Sequence, residues 1–145
     1  MNNRQLKFRI WSNSMKRWLC EDSQYLQMDG KKVHAAPWST MEWDIPSEEY
    51  IIQQFTGLYD KNKKPIYEGD RVRFGYTGNV DFFGEVIWLK YSASFVVRTV
   101  NDFGTFAFDD LMDPLGIYED TIDYVQYLEV IGNVFENSEL LKNNS

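Results

Sequence analysis

Hydrophobic and polar positions alternate along much of this chain, and its aromatic residues recur at every second position within short runs. That period belongs to a pleated strand with one buried face. LKFRIW (6–11) places Leu6, Phe8 and Ile10 on one side. RVRFGY (71–76) turns Val72, Phe74 and Tyr76 inward and Arg71 and Arg73 outward, and is the cleanest strand signal in the sequence. The stretch 18–28 has room for a second short strand. GEVIWLKY (84–91) and SFVVRTV (94–100), separated by Ser92 and Ala93, lead through a turn at Asn101–Gly104 into TFAF (105–108), and together they read as a meander. YLEVIGNVF (127–135) is a last apolar strand. Gly132 marks a bulge or bend in it, since an isolated glycine weakens a regular strand interior.

Helix signals are sparse. Ser47 followed by Glu49 and Tyr50 resembles a helix start over 47–54, although IIQQF reads equally well as strand, and Ser138 is a candidate cap for a terminal turn at 138–141. Residues 29–47 mix proline, serine, charges and two tryptophans and read as a loop or irregular edge. Strands of five to eight residues at short spacing, with no long amphipathic helix, predict a mainly β fold of the small barrel or sandwich kind.

Composition narrows the chemistry. A chain of 145 residues is long enough to bury a real core as one ordinary domain, or a small domain with an elaborated edge. Cys20 is the single cysteine, so no intramolecular disulfide forms, and a reducing cytoplasm is the expected setting. The first residues alternate charge with apolar side chains and carry no hydrophobic export core, and no apolar run is long enough to span a bilayer. The net charge of −7 is distributed unevenly: Lys and Arg against Asp and Glu count 7 to 7 over residues 1–50, 7 to 5 over 51–100 and 1 to 10 over 101–145. An acidic chain repels a polyphosphate backbone, which makes nucleic acid an unfavoured partner, although residues 61–98 are mildly basic.

Three ordered segments carry a family resemblance: Lys7–Trp11 (KFRIW), Thr56–Val72 (TGLYDKNKKPIYEGDRV) and Glu129–Leu141 (EVIGNVFENSELL). With these motifs in this order, the chain resembles the YopX family of phage and prophage proteins over nearly its whole length. The resemblance implies a mainly β protein built on an SH3-like small β-barrel, found in temperate phage genomes, and implies no established activity. On that basis residues 1–55 are expected to form an N-terminal β segment with an irregular loop, 56–136 the barrel, and 137–145 a short C-terminal turn and tail. Two departures stand out. Where the family usually places Asn-Gly in the hairpin turn this chain has Asn62-Lys63, and a lysine at positive φ costs on the order of 1 kcal/mol relative to glycine. Where the family tends to have Pro before Glu-Leu-Leu it has Ser138.

Glu68-Gly69-Asp70 reads as a tight corner, Gly69 supplying backbone freedom and Asp70 accepting from local amides, rather than as a metal or catalytic pair. The acidic cluster Asp109, Asp110, Asp113, Glu119, Asp120 and Asp123 has ligands suited to a hard cation, but the order of an EF-hand loop is missing, and a solvated loop is the plainer reading. His34 is the only histidine, Cys20 lies beside Glu21 and Asp22, and no phosphate-binding, nucleophile-elbow or zinc-protease motif is present. No enzymatic activity, metal or cofactor is therefore expected.

What remains is binding. Asp109, Asp110 and Asp113 interleaved with Leu111 and Met112 would offer a basic partner both charge and apolar anchors, with Trp38 and Trp43 as further exposed anchors. Trp88, between Ile87 and Leu89, is expected in the core. The first expectation is a non-enzymatic protein-interaction module acting on a host or phage protein in the host cytoplasm, or associating with itself. The alternative is a nucleic-acid-binding barrel using Lys61, Lys63, Lys64, Arg71 and Arg73.

Overall fold

The computed structural model describes residues 5–23, 25–29, 32–36, 41–44, 49–75, 82–100, 104–108, 111 and 125–136, with the backbone path alone over 22–44. The chain is mainly β, as the alternation predicts, and divides into two compact units with the division between Phe55 and Thr56.

The unit before the division contains β1 (Phe8–Ser12), β2 (Arg17–Ser23), β3 (Tyr25–Asp29), β4 (Lys32–Ala36), β5 (Met41–Asp44) and the first half of β6 (Tyr50–Tyr59). β1 lies between β2 and β6, antiparallel to both, so that Ile10 stands opposite Cys20 on one side and Ile52 on the other. Ile10 and Tyr50 are buried there, with Leu19, Cys20 and Ile52 packed against them. The helix reading of 47–54 gives way to the strand reading: β1 offers an open edge, and pairing along Tyr50–Gln54 overrides a weak local start signal. Leu6 is 50% exposed while Phe8 is half-buried and Ile10 buried, because Leu6 precedes the first paired residue of β1. The stretch read as one second strand holds two, β2 and β3. The stretch 29–47, read as irregular, holds β4 and β5, which form an antiparallel three-stranded sheet with β3.

β6 continues past the division and pairs with β7 (Pro65–Tyr67). The second unit is then completed by β8 (Asp70–Phe74), β9 (Phe82–Leu89), β10 (Ser94–Thr99), β11 (Thr105–Ala107) and β12 (Leu128–Asn133), in a sheet of order β11-β10-β9-β8-β12. Alternation decides its two faces. Val72, Phe74, Val86, Val97, Leu128 and Val130 point into a core that also holds Ile66, Phe108, Leu111 and Val125. Phe74, Phe82 and Phe106 meet ring to ring at 5.3–6.0 Å. Gly84 lets β9 press on β10: a Cβ there would lie 2.6 Å from Val97 Cγ1 and 2.7 Å from the Arg98 carbonyl oxygen. The register between β8 and β12 slips between Val130 and Gly132, the irregularity that the glycine signals. Tyr76, the turn at 101–103 and the terminal segment 138–141 lie outside the described residues.

Candidate functional site

The basic candidates lie around a turn whose chemistry is internal. Asp60 is 1% exposed, and its carboxylate accepts three backbone N–H groups: Oδ1 from Asn62 at 2.8 Å and Lys64 at 2.9 Å, Oδ2 from Val130 of β12 at 2.9 Å. The Lys61 N–H also donates to the Leu128 carbonyl at 2.9 Å, so the turn is fastened along the edge of β12. An Asx-type turn is the local reason, since aspartate readily accepts from amides two and four residues on. Lys63 adopts φ 66°, the positive value that the missing glycine implies. The corner at Glu68–Asp70 is built the same way: Gly69 has φ 85°, and the Asp70 carboxylate, 2% exposed, accepts from the Tyr67 N–H at 2.8 Å. Both carboxylates are thereby engaged by backbone.

Lys61, Lys63 and Lys64 are exposed on this turn, while Arg71 and Arg73 project from the outer face of β8. The structure does not leave them as a bare cationic row. Glu129 on β12 pairs with both Arg73 and Lys61, the latter at 3.6 Å. Glu85 on β9 pairs with Arg71 at 3.5 Å and with Arg98 of β10 at 3.3 Å. Each arginine stands directly opposite its glutamate in the strand register.

Of the residues expected to form an acidic docking patch, Asp109, Asp110, Met112 and Asp113 lie outside the described residues, as do Trp38 and the further acids Glu119, Asp120 and Asp123. Trp43 lies on β5 and His34 on β4, as backbone positions. Leu111 requires a correction: it is 1% exposed in the core of the second unit, because its apolar side chain satisfies that core better than any surface, so it is no anchor for a partner. Among the described residues, no three His, Cys, Asp or Glu side chains converge as a metal site would require, and no helix is long and apolar enough to cross a membrane.

Sequence reasoning missed the β9–β10 hairpin tip. Trp88, expected in the core, is 46% exposed, and Tyr91 is 88% exposed. Trp88 stands opposite Phe95, with ring centroids 5.0 Å apart at 71°, and the Lys90 ammonium lies 5.1 Å from the Tyr91 ring centroid. The physical reason is length. Trp88 shares the core-facing side of β9 with Val86, but it sits one pleat nearer the turn, beyond the residues that close the core. A signal was available in the sequence, because Trp88 is only two residues from the polar turn at Lys90–Ala93.

The protein family described as YopX protein matches residues 7–142 of the chain. The chain is also similar in structure to the crystal structure of protein EF1440 from Enterococcus faecalis, with a TM-score of 0.56 and 22% identity over 94% of this chain and 97% of that one. At that identity the likeness concerns the fold. No curated protein matches the sequence.

Proposed function

Starting from a chain that belongs to the YopX protein family, we infer that it is a non-enzymatic protein-interaction module of phage or prophage origin, working in the host cytoplasm. The observation that carries this reading is the aromatic hairpin tip, where Trp88 and Tyr91 hold large apolar rings in water at the end of an otherwise well-closed core. Exposed aromatic residues supply much contact area at a small entropic cost, and they dominate protein interfaces as anchors. In this proposal the five-stranded sheet is an SH3-like scaffold, and its hairpin presents the rings. A second copy of the chain is one partner such a tip would accept.

Nucleic-acid binding is the weaker reading. A single-strand binder sets aromatic platforms beside its cations. Here Glu85 and Trp88 are three positions apart on β9 and so face opposite ways, which separates the Trp88–Phe95 ring pair from the arginines held by Glu85.

Affinity capture from bacterial lysate, with and without nuclease, tests the proposal when wild type is compared with a Trp88→Ala/Tyr91→Ala variant and light scattering reports oligomeric state. A nuclease-resistant protein retained by wild type and lost by the variant, or a dimer lost by the variant, is the expected result. Partners that vanish with nuclease, or that bind the variant equally, contradict it.

A further inference from the structure

Lys90, at the apex of the β9–β10 hairpin, is exposed and has no carboxylate partner among the described residues, whereas the arginines of the outer sheet face share Glu85 and Glu129. Its ammonium lies instead 5.1 Å from the centroid of the Tyr91 ring. The sequence supplies no acid beside it: from Val86 to Val100 there is neither Asp nor Glu, in a chain of net charge −7. The other cation of that stretch, Arg98, is engaged by Glu85. The apex is therefore a place where a positive charge and two exposed rings coincide.

The polar groups of the turn are bonded within it. The Ser92 N–H donates to the Leu89 carbonyl at 3.2 Å, the Ala93 N–H to the Lys90 carbonyl at 3.3 Å, and the Ser92 and Ser94 hydroxyls are 2.7 Å apart. Trp88 is braced edge-on against Phe95. What the hairpin offers a partner is thus apolar ring surface and one ammonium. Size constrains the shape of that partner. At 46% and 88% exposure, Trp88 and Tyr91 present roughly 300 Å² between them if an aromatic side chain covers about 150–250 Å², against about 800 Å² per partner in a standard interface. A flat contact would leave most of each ring in water, and only a concave surface can surround them.

We propose that the hairpin tip inserts into an apolar pocket of a partner protein whose rim carries carboxylates, one of which pairs with Lys90. A second copy joined tip to tip fits less well, because it would set Lys90 against Lys90. The inference rests on the reading of the tip as a protein anchor and adds the sign and shape of what receives it.

The test uses the full chain as bait for bacterial lysate treated with nuclease, followed by a water-soluble carbodiimide, which joins an amine directly to a carboxylate in contact with it. Mass spectrometry then finds Lys90 cross-linked to an Asp or Glu of the retained protein. Lys90→Gln lowers the amount retained roughly threefold, the size expected of an exposed ion pair. Lys90→Glu lowers it further, Lys90→Arg leaves it unchanged, and added salt weakens retention by wild type more than by Lys90→Gln. Full retention by Lys90→Glu, with loss in Trp88→Ala/Tyr91→Ala, overturns this inference and leaves the anchor reading standing. Full retention by the aromatic variant overturns both. A Lys90 cross-link to another copy of the chain, no cross-link from Lys90, or no protein retained by wild type would each overturn the proposal as well.

Discussion

Between Asp60 and Lys64 the chain reverses around a carboxylate that is 1% exposed and engaged by three backbone N–H groups, one of them 70 residues away in β12. Between Lys90 and Ala93 it reverses with only local bonds, Ser92 N–H to the Leu89 carbonyl at 3.2 Å and Ala93 N–H to the Lys90 carbonyl at 3.3 Å, and it leaves Tyr91 almost wholly in water. Both turns hold a non-glycine residue at positive φ, Lys63 at 66° and Ala93 at 50°. The polar, basic turn, which looks functional in the sequence, is fastened to the fold. The turn that follows the most apolar strand is the one left open. Side-chain polarity alone does not separate a working surface from a structural one; what separates them here is where the backbone amides and the core find their partners.

The largest effect belongs to Asp60. Asp60→Ala removes the acceptor for three amides and leaves the buried Val130 N–H unpaired, at a cost of about 3 kcal/mol in urea unfolding, counting about 1 kcal/mol for each bond. A cost below about 1 kcal/mol would dissolve the contrast between the turns. Gly84→Ala comes next. It strikes the base of the second hairpin, where the new methyl meets a backbone carbonyl that cannot move aside, and it lowers stability by about 2 kcal/mol. The tip of the same hairpin behaves differently. Tyr91→Ala changes stability by less than about 0.5 kcal/mol, as expected for an exposed side chain, and Trp88→Ala by about 1 kcal/mol for its buried part. The smallest change is a gain: Lys63→Gly relieves the positive φ and raises stability by about 0.5 to 1 kcal/mol in the same unfolding assay.

Much of the second unit was legible from period alone. Val72 and Phe74 face the core, Arg71 and Arg73 face outward, and the glycine at 132 coincides with the slip in register, because each is a local consequence of a two-residue repeat meeting one buried face. Asp70 at its corner and Lys63 at positive φ were legible for the same reason, being properties of a turn. The reach of Asp60 to Val130 was not, since nothing local in the sequence announces a bond across 70 positions. Nor was the pairing of the basic residues with Glu85 and Glu129, which depends on strand order. Trp88 misled because hydrophobicity gives the face of a strand but not where along it the core ends, and Leu111 misled because the charged residues beside it in the sequence suggested a surface.

The most direct test of the central claim is quantitative capture of the partner by two variants whose thermal unfolding matches wild type, Trp88→Ala/Tyr91→Ala at one turn and Lys63→Ser/Lys64→Ser at the other. The account predicts that the first variant loses the partner and the second retains it after nuclease treatment. Retention by the aromatic variant together with loss by the lysine variant would contradict it and place function at the turn here assigned to structure.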